Sequence, residues 1–296
     1  MKPFTIQKIL IPIDFSETSL LAIEHAAFTA QLFKAELVLL HVVEKYWEKF
    51  SIITPELQVD VPSDFMESIE KRLEDIAANI RAKNGVKSTC ITSNGNIYSE
   101  ITNISKEQEV DLIVMGTHGV SGIVEFFVGS NTYKVVTKAI CPVLSVQGNT
   151  TQLGYKNILL PIDDSIHSRQ KVNHAIILAK HFASKIHVLG LAEKEFDEVD
   201  LGRFDVKLLQ IQEYAVKCGV TCDRNIIKGS NQAKMTLDYA NSTPTDLIVI
   251  MTDQEEGISG RLLGTYAQQV VNHSKIPVIS IHPQLGVTNP WAMTIN

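Results

Sequence analysis

The sequence predicts an α/β protein made of two doubly wound domains, each a five-stranded parallel sheet with helices on both faces, packed as a pseudo-dimer. Three observations carry this. The chain has 296 residues, too many for one small core and suited to two domains of about 150 residues. Its two halves read alike. In each half, short apolar runs alternate with helix-length segments, and parallel strands need such crossovers.

Taken in order, the first half opens with the apolar strand Lys8-Ile9-Leu10-Ile11-Pro12-Ile13-Asp14, and the second with Asn157-Ile158-Leu159-Leu160-Pro161-Ile162-Asp163. Each ends in Pro-Ile-Asp, and Ser16 or Ser165 follows as a helix cap. Helix-like runs come next, Leu20 to Phe33 and Gln170 to Phe182, with Ala and Leu at helical spacing. Second strands are predicted over Glu36 to Val42 and Lys185 to Leu191. Asn84-Gly85-Val86 and Cys218-Gly219-Val220 each open a third strand. The fourth strands are Asp111-Leu112-Ile113-Val114 and Asp246-Leu247-Ile248-Val249, and the halves close with Cys141 to Val146 and Ile276 to Ile281. Five strands and about four helices per half give a doubly wound, Rossmann-like domain. Repeats of this size are duplicated domains, since solenoid units run about 20 to 50 residues.

The boundaries follow: one domain over 1–148, a polar join around Gln147 to Gly154, and a second domain over 155–296. The longest irregular stretch is Lys45 to Ser63, with a shorter counterpart near Lys194 to Asp205. The tail after Pro283 has no periodicity. The closing strands are apolar and, at a sheet edge, invite pairing. Joining one half to the other within the chain satisfies both.

Composition narrows the function. A net charge of −6, with no basic run, speaks against nucleic acid. The start lacks the apolar core of a signal peptide, and no apolar run reaches membrane-spanning length. Cys90, Cys141, Cys218 and Cys222 form no C-x2-C pair and read as packed free thiols. Together these point to the cytoplasm. His167, His174 and His181 recur every seven residues, a rise of about 10 Å along a helix, too far to share one ion. They read as a surface or partly buried stripe, and the sequence assigns no metal ligands.

The feature richest in chemistry is Gly116-Thr117-His118-Gly119, followed after nine residues by Gly129-Ser130-Asn131-Thr132. It follows the buried strand that ends at Met115. Glycines let backbone approach an anion, and the N–H groups and dipole of the next helix favour negative charge. By the topological-switch rule, ligands sit at the carboxyl ends of strands where strands 1 and 4 part. Pro12-Ile13-Asp14 and Met115-Gly116 are the strand ends that meet there.

The spacing Gly-x2-Gly-x9-Gly-Ser after a strand ending in Met resembles the nucleotide loop of the universal stress protein family, and the resemblance covers nearly the whole chain as two fused copies. It implies an ATP-type site, with magnesium. Pro12, Ile13 and Asp14 would line the adenosine end, with the Asp14 carboxylate near base or ribose. Val42 would pack on adenine, Met115 and Gly116 would pass under the nucleoside, and His118 and Gly119 would begin the phosphate loop. Gly129, Ser130, Asn131 and Thr132 would offer N–H groups to phosphate, two of them adding hydroxyls. Several of these residues have a second reading: Asp14 as a carboxylate at a helix start, His118 as a solvent-facing loop residue, and Gly129-Ser130 as an ordinary helix start, while Val42 and Met115 would be partly core in either case.

No catalytic constellation stands beside the loop. There is no G-x4-G-K-[ST] motif, and no Lys or Arg lies between Gly116 and Thr132. Binding is favoured over catalysis, with a slow ATPase, a nucleotidyl transferase and a ligand-free scaffold as alternatives. In the second half, Met251 replaces the first glycine and Gln254 the second when the halves are aligned without gaps from Gly264. Aligned on Gly257-Ile258-Ser259-Gly260, the following interval shrinks instead. Asp253, Glu255 and Glu256 add like charge where phosphates would lie. ATP is expected in the first half only, and a different small ligand stays open for the second, where Arg261 reads as a solvated loop arginine or, if that ligand is anionic, as its contact. The resemblance also makes a homodimer plausible, and the output would be an interaction with an unidentified protein partner under stress.

Overall fold

The computed structural model describes residues 4–44, 63–117, 129–148, 150–165, 167–252, 254–257 and 260–283. The expected irregular stretch Lys45 to Ser63, apart from its last residue, and the tail after Pro283 lie outside them. In the first half the elements are β1 (Lys8–Pro12), α1 (Glu17–Phe33), β2 (Glu36–Val43), α2 (Ser63–Asn84), β3 (Ser88–Asn94), α3 (Ile97–Glu107), β4 (Leu112–Gly116), α4 (Ser130–Lys138) and β5 (Val143–Val146). The second half runs β6 (Asn157–Ile162), a 3-10 turn at His167–Arg169, α5 (Val172–Phe182), β7 (Lys185–Glu193), α6 (Glu198–Lys217), β8 (Cys222–Gly229), α7 (Gln232–Ser242) and β9 (Leu247–Met251). It closes with β10 (Gln254–Gly257), β11 (Gly260–Leu263), α8 (Thr265–His273) and β12 (Val278–Ile281).

Ten strands form one sheet in the order β3-β2-β1-β4-β5-β12-β9-β6-β7-β8. Within each half the pairings are parallel. The halves meet where β5 and β12 run antiparallel, with Val278 opposite Ser145 and Ser280 opposite Val143. The two apolar closing strands thus cover each other's edges.

Alternation along the strands splits the core into two layers. Ile9, Ile11, Leu37, Leu39, Val114 and their counterparts face α1, α2, α5 and α6. Leu10, Leu40, Ile113, Met115, Val143 and Val278 face α3, α4, α7 and α8. Both faces of the strands are buried, which is why they read as continuous apolar runs. The repeated Asp of Asp-Leu-Ile-Val has a structural task. Asp111 accepts hydrogen bonds from the N–H groups of Gln7 (2.8 Å) and Lys8 (3.0 Å), and Asp246 does the same for Lys156 (2.7 Å) and Asn157 (2.9 Å). Each carboxylate pins the start of its half's first strand.

Two features differ from the sequence reading. The stretch Lys194 to Asp205 is helical from Glu198 onward. Asp197 accepts from the Asp200 N–H at 2.8 Å, and the Asp200 carboxylate accepts from the Asp197 N–H at 3.3 Å. This capping box starts α6 earlier than its hydrophobic pattern suggested. The other is the β10–β11 hairpin, with Glu255 in register with Leu262, inserted between β9 and α8.

The histidines divide between two environments. On α1, His25 is buried at 1% exposure. Its Nε2 lies 2.9 Å from the Thr150 carbonyl oxygen and its Nδ1 3.1 Å from the Tyr155 hydroxyl. Donation from Nε2 and acceptance at Nδ1 suit a neutral ring, and burial lowers its pKa. His174 and His181 of α5 pack on Phe4 and Phe33 of the first half, with ring centroids 4.4 and 3.8 Å apart. Phe182 joins them, 5.0 Å from Tyr155. The stripe is therefore part of an aromatic seam between the halves. Among the described residues no cluster of His, Cys, Asp and Glu is arranged to hold a metal.

Burial pushes the His174 pKa down to about 4 from the usual 6.5, and His25 shifts the same way. Below the unfolded value the unfolded chain binds more protons than the folded one. Stability is therefore full above about pH 6.5 and falls as the pH drops toward about 4. Thermal melts between these limits should show that slope, and His174→Gln should flatten it. An unchanged slope in the variant would remove His174 from the seam's titration.

Candidate functional site

The chain turns back between β1 and β4, so the carboxyl ends of these two strands open the cleft of the first half. Sequence and packing shape each wall. After β1, Asp14 is exposed and its Oδ1 accepts from the Ser16 N–H (3.0 Å) and hydroxyl (2.5 Å). Ser16 in turn caps α1, accepting from the Ser19 N–H at 3.2 Å. The second carboxylate oxygen of Asp14 faces no partner among these bonds. Between them, Phe15 takes a positive φ of 60°, an uncommon conformation for a residue with a Cβ.

Phe15 is held from two sides. Its ring lies 4.9 Å from that of His41, and the Arg72 guanidinium sits 3.9 Å above it. His41 Nδ1 donates to the Ile13 carbonyl at 2.7 Å, while the Ile13 N–H donates to Leu40 at 2.8 Å. Ile13 is therefore a core residue, 3% exposed, with both backbone groups engaged. Pro12 and Val42 are half-buried at neighbouring strand ends, and Val42 shares a face of the sheet with the buried Met115.

Gly116 ends β4 beneath the first turn of α1. A Cβ there would lie 2.8 Å from the backbone carbon and oxygen of Thr18. Only glycine lets the helix start come down onto the strand end. Beyond it, Gly129 is the N-cap of α4, and no side chain caps that helix. The first-turn N–H groups of Ser130, Asn131 and Thr132 thus have no partner within the helix. Ser130 is exposed and Asn131 half-buried.

Two of the expected phosphate contacts are spent inside the protein. The Gly129 N–H donates to the Thr117 carbonyl at 2.5 Å, and the Thr132 hydroxyl donates to the Gly116 carbonyl at 3.0 Å. Thr132 is 3% exposed, so of the two hydroxyls only that of Ser130 is open. These bonds tie the end of β4 to the start of α4. His118 and Gly119 lie outside the described residues. Sequence reading missed Phe15, Thr18, His41 and Arg72. A Gly-rich loop directs attention to its own segment, whereas Arg72 lies on α2, far from Phe15 along the chain.

The second half keeps the frame but changes the fit. From strand end to helix start the interval is 14 residues in both halves, Gly116 to Ser130 and Met251 to Thr265. The gapless alignment is therefore the structural one. Met251 occupies the place of Gly116, and α5 begins only at Val172, after a 3-10 turn. The crowding at Gly116 explains this: a side chain there excludes the first helical turn. Asp163 still accepts from the Ser165 N–H at 2.9 Å. Lys171, 3% exposed, donates to the Ser168 carbonyl (2.8 Å) and hydroxyl (3.0 Å) in the displaced segment. Where the first half has its glycine loop, the second has the β10–β11 hairpin, and β11 packs beside α4 of the first half.

Substituting Gly116→Ala should cost about 1–3 kcal/mol by overpacking against Thr18, read from chemical denaturation. Met251→Gly should also destabilise, by a different route, because it empties the space of a buried side chain. Equal stability of Gly116→Ala and the parent would contradict the close approach.

Comparison with known proteins agrees with this architecture. The model of the universal stress protein family matches residues 5–147 and again 154–282. Universal stress protein YxiE of Bacillus subtilis is 35% identical over 147 residues, 47% of this chain and 98% of that protein. Universal stress protein MJ0577 of Methanocaldococcus jannaschii is 32% identical over 161 residues, covering 48% of this chain and 94% of its own. Each relative thus corresponds to one half. A universal stress protein from Archaeoglobus fulgidus superposes with a TM-score of 0.72 over 95% of this chain and 97% of its own, at 20% identity, a likeness of fold. The chain belongs to the universal stress protein family and carries two fused copies of the family's domain.

Proposed function

We propose that this protein binds ATP, with magnesium as its counter-ion, in the N-terminal half, and uses the bound nucleotide as a conformational signal in the cytoplasm. The observation that carries the reading is the uncapped start of α4 beside the end of β4: the N–H groups of its first turn await an anion where Gly116 lets α1 and β4 close together. Pro12, Val42 and Met115 offer apolar surface to adenosine, and the second oxygen of Asp14 can accept from a ribose hydroxyl. The N–H groups of Ser130, Asn131 and Thr132, with the Ser130 hydroxyl, hold phosphate, and His118 and Gly119 start the loop around it.

Binding is favoured over turnover because the loop brings no cation. No Lys or Arg stands between Gly116 and Thr132, so a transferring phosphoryl group would lack the charge that stabilises its transition state. Arg72 is engaged on Phe15 at the nucleoside side of the cleft. The second half, with Met251 and a hairpin in place of the glycines, acts as the structural partner. Its fold keeps the paired sheet complete and sets the hairpin against the phosphate helix of the first half. The output is an interaction with another protein, modulated by nucleotide.

Calorimetric titration of nucleotide-stripped protein with ATP and magnesium should give one site per chain. Gly129→Glu, which sets a carboxylate at the α4 start, should abolish it. Two equal sites per chain, or no heat with no nucleotide retained through purification, would overturn the proposal.

A further inference from the structure

The seam between β5 and β12 carries polar side chains that the fold itself leaves unanswered. Ser145 and Ser280 occupy equivalent positions in the two strands, both with 0% exposure. Neither hydroxyl has a hydrogen-bond partner in the protein, and neither the Oε1 nor the Nε2 of Gln147 has one. Gln147 is 6% exposed. Four buried polar atoms thus gather along one short junction.

They share a face. Ser280 pairs with Val143 and Ser145 with Val278, and Val143 and Val278 belong to the core layer under α3, α4, α7 and α8. Paired residues point the same way, as do residues two apart on a strand. Ser145 and Ser280 therefore line the α4 and α8 side of the sheet, and the buried Gln147 follows β5 directly. The two serines are diagonal neighbours, with Cα atoms about 7–8 Å apart. One water bridging two hydroxyls spans about 5.5 Å, so one or two waters match the gap.

An unhydrated hydroxyl or amide in such apolar company costs stability, and the cost falls on all four atoms. Buried polar groups of this kind are met by ordered water, which needs two to four partners. The serine hydroxyls and the Gln147 amide offer donors and acceptors together.

We propose that the junction encloses a small buried water cluster held by Ser145, Ser280 and Gln147 between the two halves. Gln147 follows β5 directly, and Thr117, at the base of the glycine loop, donates its N–H to the neighbouring Val146 carbonyl at 2.9 Å. On the other side His282 Nδ1 lies 2.7 Å from the Thr252 hydroxyl, at the base of the hairpin. The junction thus lies between the two loop bases.

The sign of a stability change tests this. If the serines are hydrated, the double variant Ser145→Ala/Ser280→Ala strips partners from the water and should lower the Tm by several degrees. If they are dry, removing two unanswered hydroxyls should leave the Tm unchanged or raise it, and the proposal fails. A high-resolution crystal structure of the full chain gives the second readout. Water density within hydrogen-bond reach of Ser145, Ser280 and Gln147 supports the site, and a junction without it overturns the assignment whatever the melting result.

Discussion

The antiparallel pairing of β5 with β12 is the interaction on which the rest of the molecule depends. Each half alone would present an apolar closing strand at a sheet edge, with a row of unpaired backbone groups. Pairing them turns two five-stranded sheets into one of ten. It also fixes everything that crosses the junction. α1 meets α5 through stacked and edge-on rings, the linker is held by His25 at Thr150 and Tyr155, and β11 lies beside α4. Gly154, at φ 81°, belongs to the same arrangement, because a Cβ there would sit 3.1 Å from the Phe28 ring.

Within that symmetric frame the halves have diverged at one strand end. Gly116 lets the start of α1 rest on the backbone of β4. Met251 forbids the same approach, and the consequence is visible in the delayed start of α5 and the 3-10 turn before it. A single side chain at a crowded position thus reshapes the following segment, as expected for a close-packed interior. The loop length did not change. Its content did, from a glycine loop to a hairpin that leans on the neighbouring half.

Much of this was legible in the chain. The repeated Pro-Ile-Asp and Asp-Leu-Ile-Val segments gave both sheets, their parallel order and the pairing of the last strands. Local chemistry was the reason: strand patterns, caps and turns are written in neighbouring residues. What stayed hidden is non-local. The spent N–H of Gly129 and hydroxyl of Thr132 depend on where the end of β4 lies. The Arg72–Phe15 stack depends on α2 packing against β3, β2 and α1. The histidine stripe read as surface or partly buried with no neighbour assigned, because the partners of His174 and His181, Phe4 and Phe33, lie more than a hundred residues away. The early start of α6 was readable in Asp197 and Asp200, a capping pair easily lost among charged residues.

The central claim is that the first half presents backbone to a nucleotide and the second does not. Amide NMR spectra of the full chain, recorded during addition of ATP and magnesium, test it most directly. The account predicts that the N–H resonances of Ser130, Asn131 and Thr132 move with a common saturation curve, while those of Thr265 and its neighbours at the start of α8 stay in place. Matching shifts at both helix starts, or movement confined to the second, would contradict it.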